Sequence, residues 1–537
     1  MGSCPAESKE YVVFKGSGSP DQRRKGAMEC SIDLLDATFA TTFHFECSRV
    51  RALRLKSVLV AHVAIERRLT RRTAMDAKIT GTPTRQVAAR RPAVPRLDRT
   101  TFATSRLLDF CSEKELTAQT GHEIEDWPRV IVKELVDNAL DACEEAGIAP
   151  EIEVTVEGDA VTVADNGPGL PASTVKSILD FTVRISSREA YVSPTRGAQG
   201  NALKTILAMP FVLSGNQAGR VEIETQGRRH CIVFEVDHIR QAPVIQHAVQ
   251  QGGRKKGTLV RVEWPDSACS ILDGAKGEFL QIASDYCWLN PHLKLTIKWS
   301  GDSLTRTIEA TRPDWVKWLP SHPTSAHWYS PDRFERLIAA YVAHGADKKL
   351  DRTVREFVSE FRGLSGSAKQ KLVLGELGLA REPLSSLVAD NRVNSRSASA
   401  LLQAMQKYSK PVKPAMLGII GREHFETRFE TVGCEMESFN YRKIEDHDDD
   451  GIPFVIETAF GWLGDNAPAR RRLVTGVNWS PGIKHPFRRL GPLGQSLDSV
   501  LELQRVGRDE PVVFVLHVSC PRVEYLDRGK SSVVVRS

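Results

Sequence analysis

The stretch "KELVDNALDACEEAG", residues 133–147, places Glu134, Asp137, Asn138 and Asp141 at spacings of three, four and seven. In a helix of 3.6 residues per turn such positions lie one above another, while Leu135, Val136, Ala139 and Leu140 turn the other way. The result is an acidic face with a carboxamide at its centre and only Lys133 to balance it. Two readings stand side by side: a solvated polar face, or neighbouring oxygen-bearing side chains that hold a hard cation and a water. The helix is expected to begin near Pro128, a residue tolerated in a first turn, and to stop at Gly147.

Working outward, "EIEVTVEGDAVTVADNGPGL" (151–170) alternates apolar and polar residues on either side of "EGDA", which predicts a β-hairpin. Further strands are expected in "GRVEIETQG" with "HCIVFEVD", and in "GTLVRVEW". Helices followed by antiparallel strands, with no βαβ repeat, indicate an α+β sandwich. Residues 331–410 read as helical, in "DRFERLIAAYVAHG", "TVREFVSEFRGLSGSAKQKLVLGELG" and "SASALLQAMQKYS". After "KPVKPAMLGIIG", strands return in "PFVIETAFGWLG" and "PVVFVLHVSCPRVEYL", predicting a second α/β unit.

The 537 residues suggest about three domains at ~150 residues each. With 41% hydrophobic and 26% charged residues, most of the chain should be globular. The net charge of +6 is concentrated in Arg-rich stretches between residues 51 and 98, which sit in a Gly/Ser/Pro-containing region without sustained periodicity. Residues 1–98 are therefore expected to be a poorly ordered basic extension, or translated sequence upstream of a later start such as Met75. A basic arm that binds nucleic acid is the alternative. Ten scattered cysteines without a C-x-x-C pair argue against a zinc ribbon or a secreted disulfide framework. No run approaches eighteen apolar residues, so no membrane helix is expected, and a cytoplasmic setting follows.

Three segments join the acidic helix. "DNGPG" (165–169) sets a carboxylate at a strand end before two glycines, a pattern that a simple turn also satisfies. "RGAQGNALKT" (196–205) has Gly197 and Gly200 ahead of a helix start, where backbone N–H groups and the helix dipole favour phosphate oxygens. Gly257-Thr258 opens a strand. In this order the motifs resemble the ATP site of the GHKL superfamily, which includes gyrase B, MutL, heat-shock chaperones and sensor kinases and uses the Bergerat α+β sandwich. The only Gly-Lys-Ser, at 529–531, has Glu524 where a P-loop needs its first glycine.

Within the superfamily, "KELVDNALDACEEAGIAPEI" is similar to the B subunits of type IIB topoisomerases, the topoisomerase VI family. The run from "TVREFVSEFRGLSGSAKQK" to "KPAMLGIIG" resembles their helix-two-turns-helix domain, and "VVFVLHVSCPRVEYLDRGKSSV" the end of their transducer domain. The resemblance spans about residues 100–537 and implies an ATP-binding unit at 99–318, a helical unit at 319–412 and a transducer at 413–537. It implies ATP and Mg²⁺ as ligands, with Glu134 as the general base that polarises the attacking water and Asn138 as the Mg²⁺ ligand. Asp165, in the Asp-x-Gly-x-Gly with Gly167 and Gly169, would accept from the adenine amino group, supported by Thr258. Ser187 and Arg188 stand where the family has Ser-Lys near the nucleotide. Gly197, Ala198, Gln199, Gly200, Asn201, Ala202, Leu203 and Lys204 would form the phosphate-wrapping lid, and Lys530 would reach the γ-phosphate from the second unit. Asp137 and Asp141 are read as structural groups.

Two departures qualify the match. Ala202 replaces the family's last lid glycine, and its methyl would crowd backbone that must approach phosphate, slowing turnover. The family's transducer continues into a long helix that couples to the cleaving A subunit, whereas this sequence ends at Ser537. The implied function is an ATP-hydrolysing subunit that dimerises on ATP as a clamp on DNA and drives strand passage by a separate topoisomerase VI A-like subunit, with no membrane partner. The alternative is a stand-alone GHKL switch that grips DNA or protein without topoisomerase activity. A sensor kinase is less consistent, because no dimerisation helix presents a phosphorylatable histidine ahead of the ATP motifs. His517 is read as a core histidine and "EDHDDDG" (445–451) as a solvated acidic loop.

Overall fold

The computed structural model describes residues 110–181, 190–197, 202–237, 239–240, 242–464, 467–490, 495–526, 530 and 532–534. The expected N-terminal extension, residues 1–98, lies outside them.

A short helix α1 (Glu113–Thr120) precedes the acidic helix α2, which runs Trp127–Glu145 with Pro128 in its first turn. Gly147 follows at φ +65°, a left-handed value that favours glycine at a helix end. The hairpin forms as read: β1 (Glu151–Glu157) pairs antiparallel with β2 (Ala160–Asp165) around Gly158-Asp159. A short helix α3 (Ala172–Ile178) and helix α4 (Ala202–Leu213) come next. They lead into β3 (Gly219–Thr225), β4 (Arg228–Asp237), β5 (Ala242–Gln251) and β6 (Thr258–Glu263). A 21-residue helix α5 (Cys269–Leu289) then returns the chain to β7 (Lys294–Trp299) and β8 (Leu304–Ile308).

These strands make one eight-stranded sheet in the order β5-β4-β3-β6-β2-β1-β7-β8. All neighbours are antiparallel except β1 and β7, which the crossover through α5 makes parallel. Ile152, Val154 and Val156 of β1, Val221 and Ile223 of β3, and Leu295 and Ile297 of β7 alternate along their strands and share one core with α2, α4 and α5. The helices thus cover one face of the sheet, the layered α+β arrangement expected. The sequence reading missed β5, β7, β8 and α5. The partly exposed edge strand β5 has a weak apolar pattern, and α5 contains Gly274 and Gly277.

The helical segment consists of α6 (Pro331–Lys348), α7 (Val354–Ser359), α8 (Ser367–Leu377) and α9 (Ser395–Tyr408). A small ribbon of β9 (Val388–Ala389) and β10 (Arg392–Val393) precedes α9. The stretch read as helical over residues 353–378 holds two helices, α7 and α8, with Gly363 at φ +76° between them. Trp318, Trp328, Phe334, Phe357, Phe361 and Leu401 fill a separate core here.

Helix α10 (Arg422–Thr431) leads to a second sheet of β11 (Asn440–His447), β12 (Pro453–Trp462), β13 (Arg472–Val477), β14 (Ser480–Pro481) and β15 (Val512–Ser519). Helix α11 (Leu497–Leu503) lies between β14 and β15. The order is β11-β12-β15-β13-β14. The apolar runs of β12 and β15 announced the two central strands, but β11, β13 and β14 were not read. The β13–β14 turn is a two-residue hairpin with Asn478 and Trp479 both at positive φ (50° and 63°). A tryptophan seldom adopts that backbone. Here its N–H donates to His517 Nε2 (3.1 Å) and its carbonyl accepts from Asn290 (2.9 Å), which hold it in place.

Candidate nucleotide site

Helix α2 divides its acidic residues between two environments. Asn138 is exposed and Glu134 partly so, one turn apart on the open side. Asp137 and Asp141 are buried, the Glu144 side chain is nearly enclosed, and Asp137 faces Tyr286 of α5 and Ser480 of the C-terminal unit. Lys133 Nζ donates to Asp137 (2.7 Å) and to Ser480 (2.7 Å), and Tyr286 donates its hydroxyl to Asp137 (2.8 Å). The Arg196 guanidinium reaches Asp141 (2.7 Å), both oxygens of Glu144 (2.7 Å each) and Asn290 (2.6 Å). Lys317 lies 3.0 Å from Glu144. The expectation that only Lys133 balances the helix is therefore corrected: Arg196 and Lys317, remote in sequence, supply the other cations. Burial pushes Asp137 and Glu144 up, but the neighbouring cations outweigh it, chiefly Lys133 for Asp137 and Arg196 for Glu144. Both carboxyls are held below the usual range.

At the end of β2, Asp165 is buried and organises the turn around it. Its Oδ1 accepts from the N–H of Gly167 (2.8 Å) and of Thr258 (3.1 Å), which ties the hairpin end to the start of β6. Gly257 sits at φ +80°, where a Cβ would lie 1.9 Å from the Asp165 carbonyl oxygen, so the approach requires glycine. Gly169, at φ +82°, leaves room for Thr225, whose hydroxyl accepts from Leu170 N–H (2.7 Å). Burial raises the Asp165 carboxyl above its ordinary range, against the pull of the Gly167 and Thr258 donors. The bare "DNGPG" turn is thus a buried acceptor in a backbone cradle.

Beyond Gly197, residues Ala198, Gln199, Gly200 and Asn201 lie outside the described residues, as do Ser187 and Arg188. Ala202 and Leu203 open α4, and Thr205 donates its hydroxyl to the Ala202 carbonyl (2.7 Å). Lys204 is buried, and its ammonium donates to the Asp180 carbonyl (2.6 Å). Lys530, at φ +55°, donates from Nζ to the Arg196 carbonyl (2.6 Å), and a Cβ placed on Gly197 would lie 3.6 Å from that nitrogen. Burial and then the like charge of Lys133 depress the Lys530 ammonium, while Glu134, Asp137 and Asp141 pull the other way. The far end of the sequence therefore meets the start of the Gly-rich segment above the acidic helix.

Among the described residues no cluster of three His, Cys, Asp or Glu side chains is arranged to hold a metal. A Mg²⁺ ion, which keeps several waters and substrate phosphates as ligands, fits the exposed Asn138 carboxamide beside Glu134 without such a cage. The acidic loop is held by its own backbone: Asp448 accepts from Asp450 N–H (3.0 Å) and Ile452 N–H (2.8 Å), and Arg522 pairs with Asp450. His517 is fully buried in β15. No described helix is long and apolar enough to cross a membrane.

Residues 123–266 match the family described as histidine kinase-, DNA gyrase B-, and HSP90-like ATPase. The B subunit of type 2 DNA topoisomerase 6 from Saccharolobus shibatae is 22% identical over 432 residues, 75% of this chain and 74% of that protein. Its counterpart of the same name from Archaeoglobus fulgidus is 28% identical over 172 residues, 31% of this chain and 28% of its own length. A crystal structure described as the N terminal domain of a DNA repair protein aligns at 11% identity over 78% of this chain and 90% of its own. Its TM-score of 0.35 is too low to bear on the fold.

Proposed function

We propose, from the premise that this chain carries a GHKL ATPase domain and is related to the B subunits of topoisomerase VI, that it is the Mg-ATP-driven clamp of a type IIB topoisomerase-like assembly. In this reading residues 99–318 bind the nucleotide, 319–412 are a helix-two-turns-helix-like unit, and 413–537 are the transducer. ATP joins two copies into a homodimer around DNA, in the cytoplasm. A separate topoisomerase VI A-like subunit cleaves the DNA duplex through which another is passed. The relatives are named as subunits of a DNA topoisomerase, which supports a partner of that kind.

Asp165 accepts from the adenine amino group while its own backbone donors keep the carboxylate aimed, and Thr258 closes that end. Gly167 and Gly169 keep the turn free of side chains where the base enters. Asn138 would hold Mg²⁺, which would supply charge neutralisation at the phosphates. Glu134, one turn away, takes the proton of the attacking water, a role that contributes about 10²–10⁴-fold. Gly197 through Lys204 wrap the phosphates, with Ser187 and Arg188 near the nucleotide and Ala202 slowing the lid. Lys530 senses the terminal phosphate from the transducer, so the closed arrangement is favoured only while that phosphate is present.

The observation that carries this reading is Lys530, which follows the second sheet and reaches the backbone of Arg196 and the edge of Gly197. Glu134→Ala should bind a non-hydrolysable ATP analogue with near-normal affinity yet lose about 10²-fold or more in turnover. Asn138→Ala should lose the Mg²⁺-dependent part of binding. Equal turnover in the parent and both variants would refute these roles. Purification of the tagged chain from its own cells separates the larger readings: a co-purifying cleaving subunit supports the topoisomerase, and an isolated ATP-dependent dimer supports the stand-alone switch.

A further inference from the structure

Arg196 does more than balance charge. Its side chain is fully enclosed, and its guanidinium is occupied by Asp141, Glu144 and Asn290, with Asp137 3.9 Å from Nε. Such a planar fork, held by a bidentate carboxylate and two further acceptors, has almost no rotational freedom. Its backbone carbonyl is the acceptor for Lys530 Nζ. The flanking residues are also tied. Thr195 offers its carbonyl to Asn478 Nδ2 (3.3 Å), and Val192 receives Thr324 Oγ1 on its carbonyl (2.8 Å) and donates its N–H to the Tyr329 hydroxyl (3.0 Å). Asn290, which accepts from Arg196, also donates to the Trp479 carbonyl in the strained β13–β14 turn. Arg196 thus joins helix α2, Asn290 at the end of α5 and the lysine beside Gly197, and Asn290 carries the link on to the C-terminal sheet.

We infer that Arg196 is a positioning residue for Lys530: its guanidinium, locked onto the rear of helix α2, fixes the carbonyl that holds the lysine ammonium at the start of the Gly-rich segment. Arg196→Lys would keep the charge but could not engage Asp141, Glu144 and Asn290 together, so the carbonyl would be free to drift. The consequence for turnover rests on the ATPase reading above; the consequence for the ordering of the Lys530 segment does not.

The test uses the full chain and compares Arg196→Gln, Lys530→Met and the double variant. Turnover, affinity for a non-hydrolysable ATP analogue and amide hydrogen exchange without nucleotide are measured for each. Arg196→Gln should keep its analogue affinity within about threefold while turnover falls about 10²-fold, the scale expected when a reacting group is misplaced by an ångström. The double variant should lose no more than Lys530→Met alone, because both act through one group. Peptides covering 521–534 should exchange faster in Arg196→Gln, while those of β1 and β2 stay unchanged. Additive losses in the double variant, or unchanged exchange at 521–534, would overturn the proposal. If Arg196→Gln does not fold, Arg196→Lys is read by the same measurements and decides in the same way. A parent chain that binds no ATP would remove the ATPase reading and leave the exchange result to judge the positioning role.

Discussion

At Gly257 the fold tolerates no side chain. The positive φ and the 1.9 Å approach to the Asp165 carbonyl act together, so Gly257→Ala must push β6 away from the turn that aims Asp165. Backbone strain of this kind costs about 1–3 kcal/mol, and calorimetry of the variant should show a lowered Tm together with loss of ATP-analogue binding. Unchanged binding would mean that the cradle does not serve the adenine. Asp165 makes a second prediction. In the proposed role as acceptor for the adenine amino group it is the stronger acceptor when ionised, and burial has raised its pKa. Analogue affinity should therefore be full at neutral pH and should fall on acidification, beginning above the range of an ordinary aspartate. Titration of the Kd against pH checks this, and Asp165→Asn, which cannot titrate, should flatten that part of the profile. The sequence offered "DNGPG" and "GT" as separate short signals; that they are one object follows from a hydrogen bond across 93 residues of chain.

Among the elements, α2 was legible because its period and its caps are local properties. The partners of its buried carboxylates were not, since which cations reach Asp141 and Glu144 depends on what packs there. Helix α7 shows the local side of the same rule. Thr353 accepts from Glu356 N–H, and Glu356 in return accepts from Thr353 N–H, so both ends of a capping box are closed. Thr353→Ala should cost about 1 kcal/mol of stability, readable as a shift in the denaturant midpoint. Because α7 belongs to the helical core and not to the nucleotide site, analogue affinity should not change. Between α7 and α8 the chain passes through Gly363 at φ +76°, a left-handed conformation that an α-helix cannot contain.

For the molecule as a whole, the buried charges between units are expected to contribute to its acid sensitivity. Asp137 and Glu144 titrate below their unfolded values of about 4. Their contribution is therefore complete above that range and drains away as pH falls through it toward the folded values. Urea unfolding at neutral pH and near pH 4 should show the loss, and it should be smaller in Glu144→Gln, which is weaker at neutral pH to begin with. Equal acid sensitivity in the two proteins would mean that this cluster does not set the acid limit. The same cluster links Ser480, Asn290 and Arg196, so loosening it should also loosen the contact between the two sheets.

The amino-acid sequence by itself determined the α+β class, the acidic helix, the hairpin and the ordered ATP-type motifs, because periodicity, caps and turn residues act over a few neighbours. Only the tertiary structure decided that Asp137, Asp141 and Glu144 face Arg196 and Lys317, that β5, β7 and β8 complete the sheet, and that Lys530 comes to rest on the Arg196 carbonyl. Those outcomes depend on which distant surfaces exclude water together, and a buried charge selects its partner from whatever packing brings within hydrogen-bond reach.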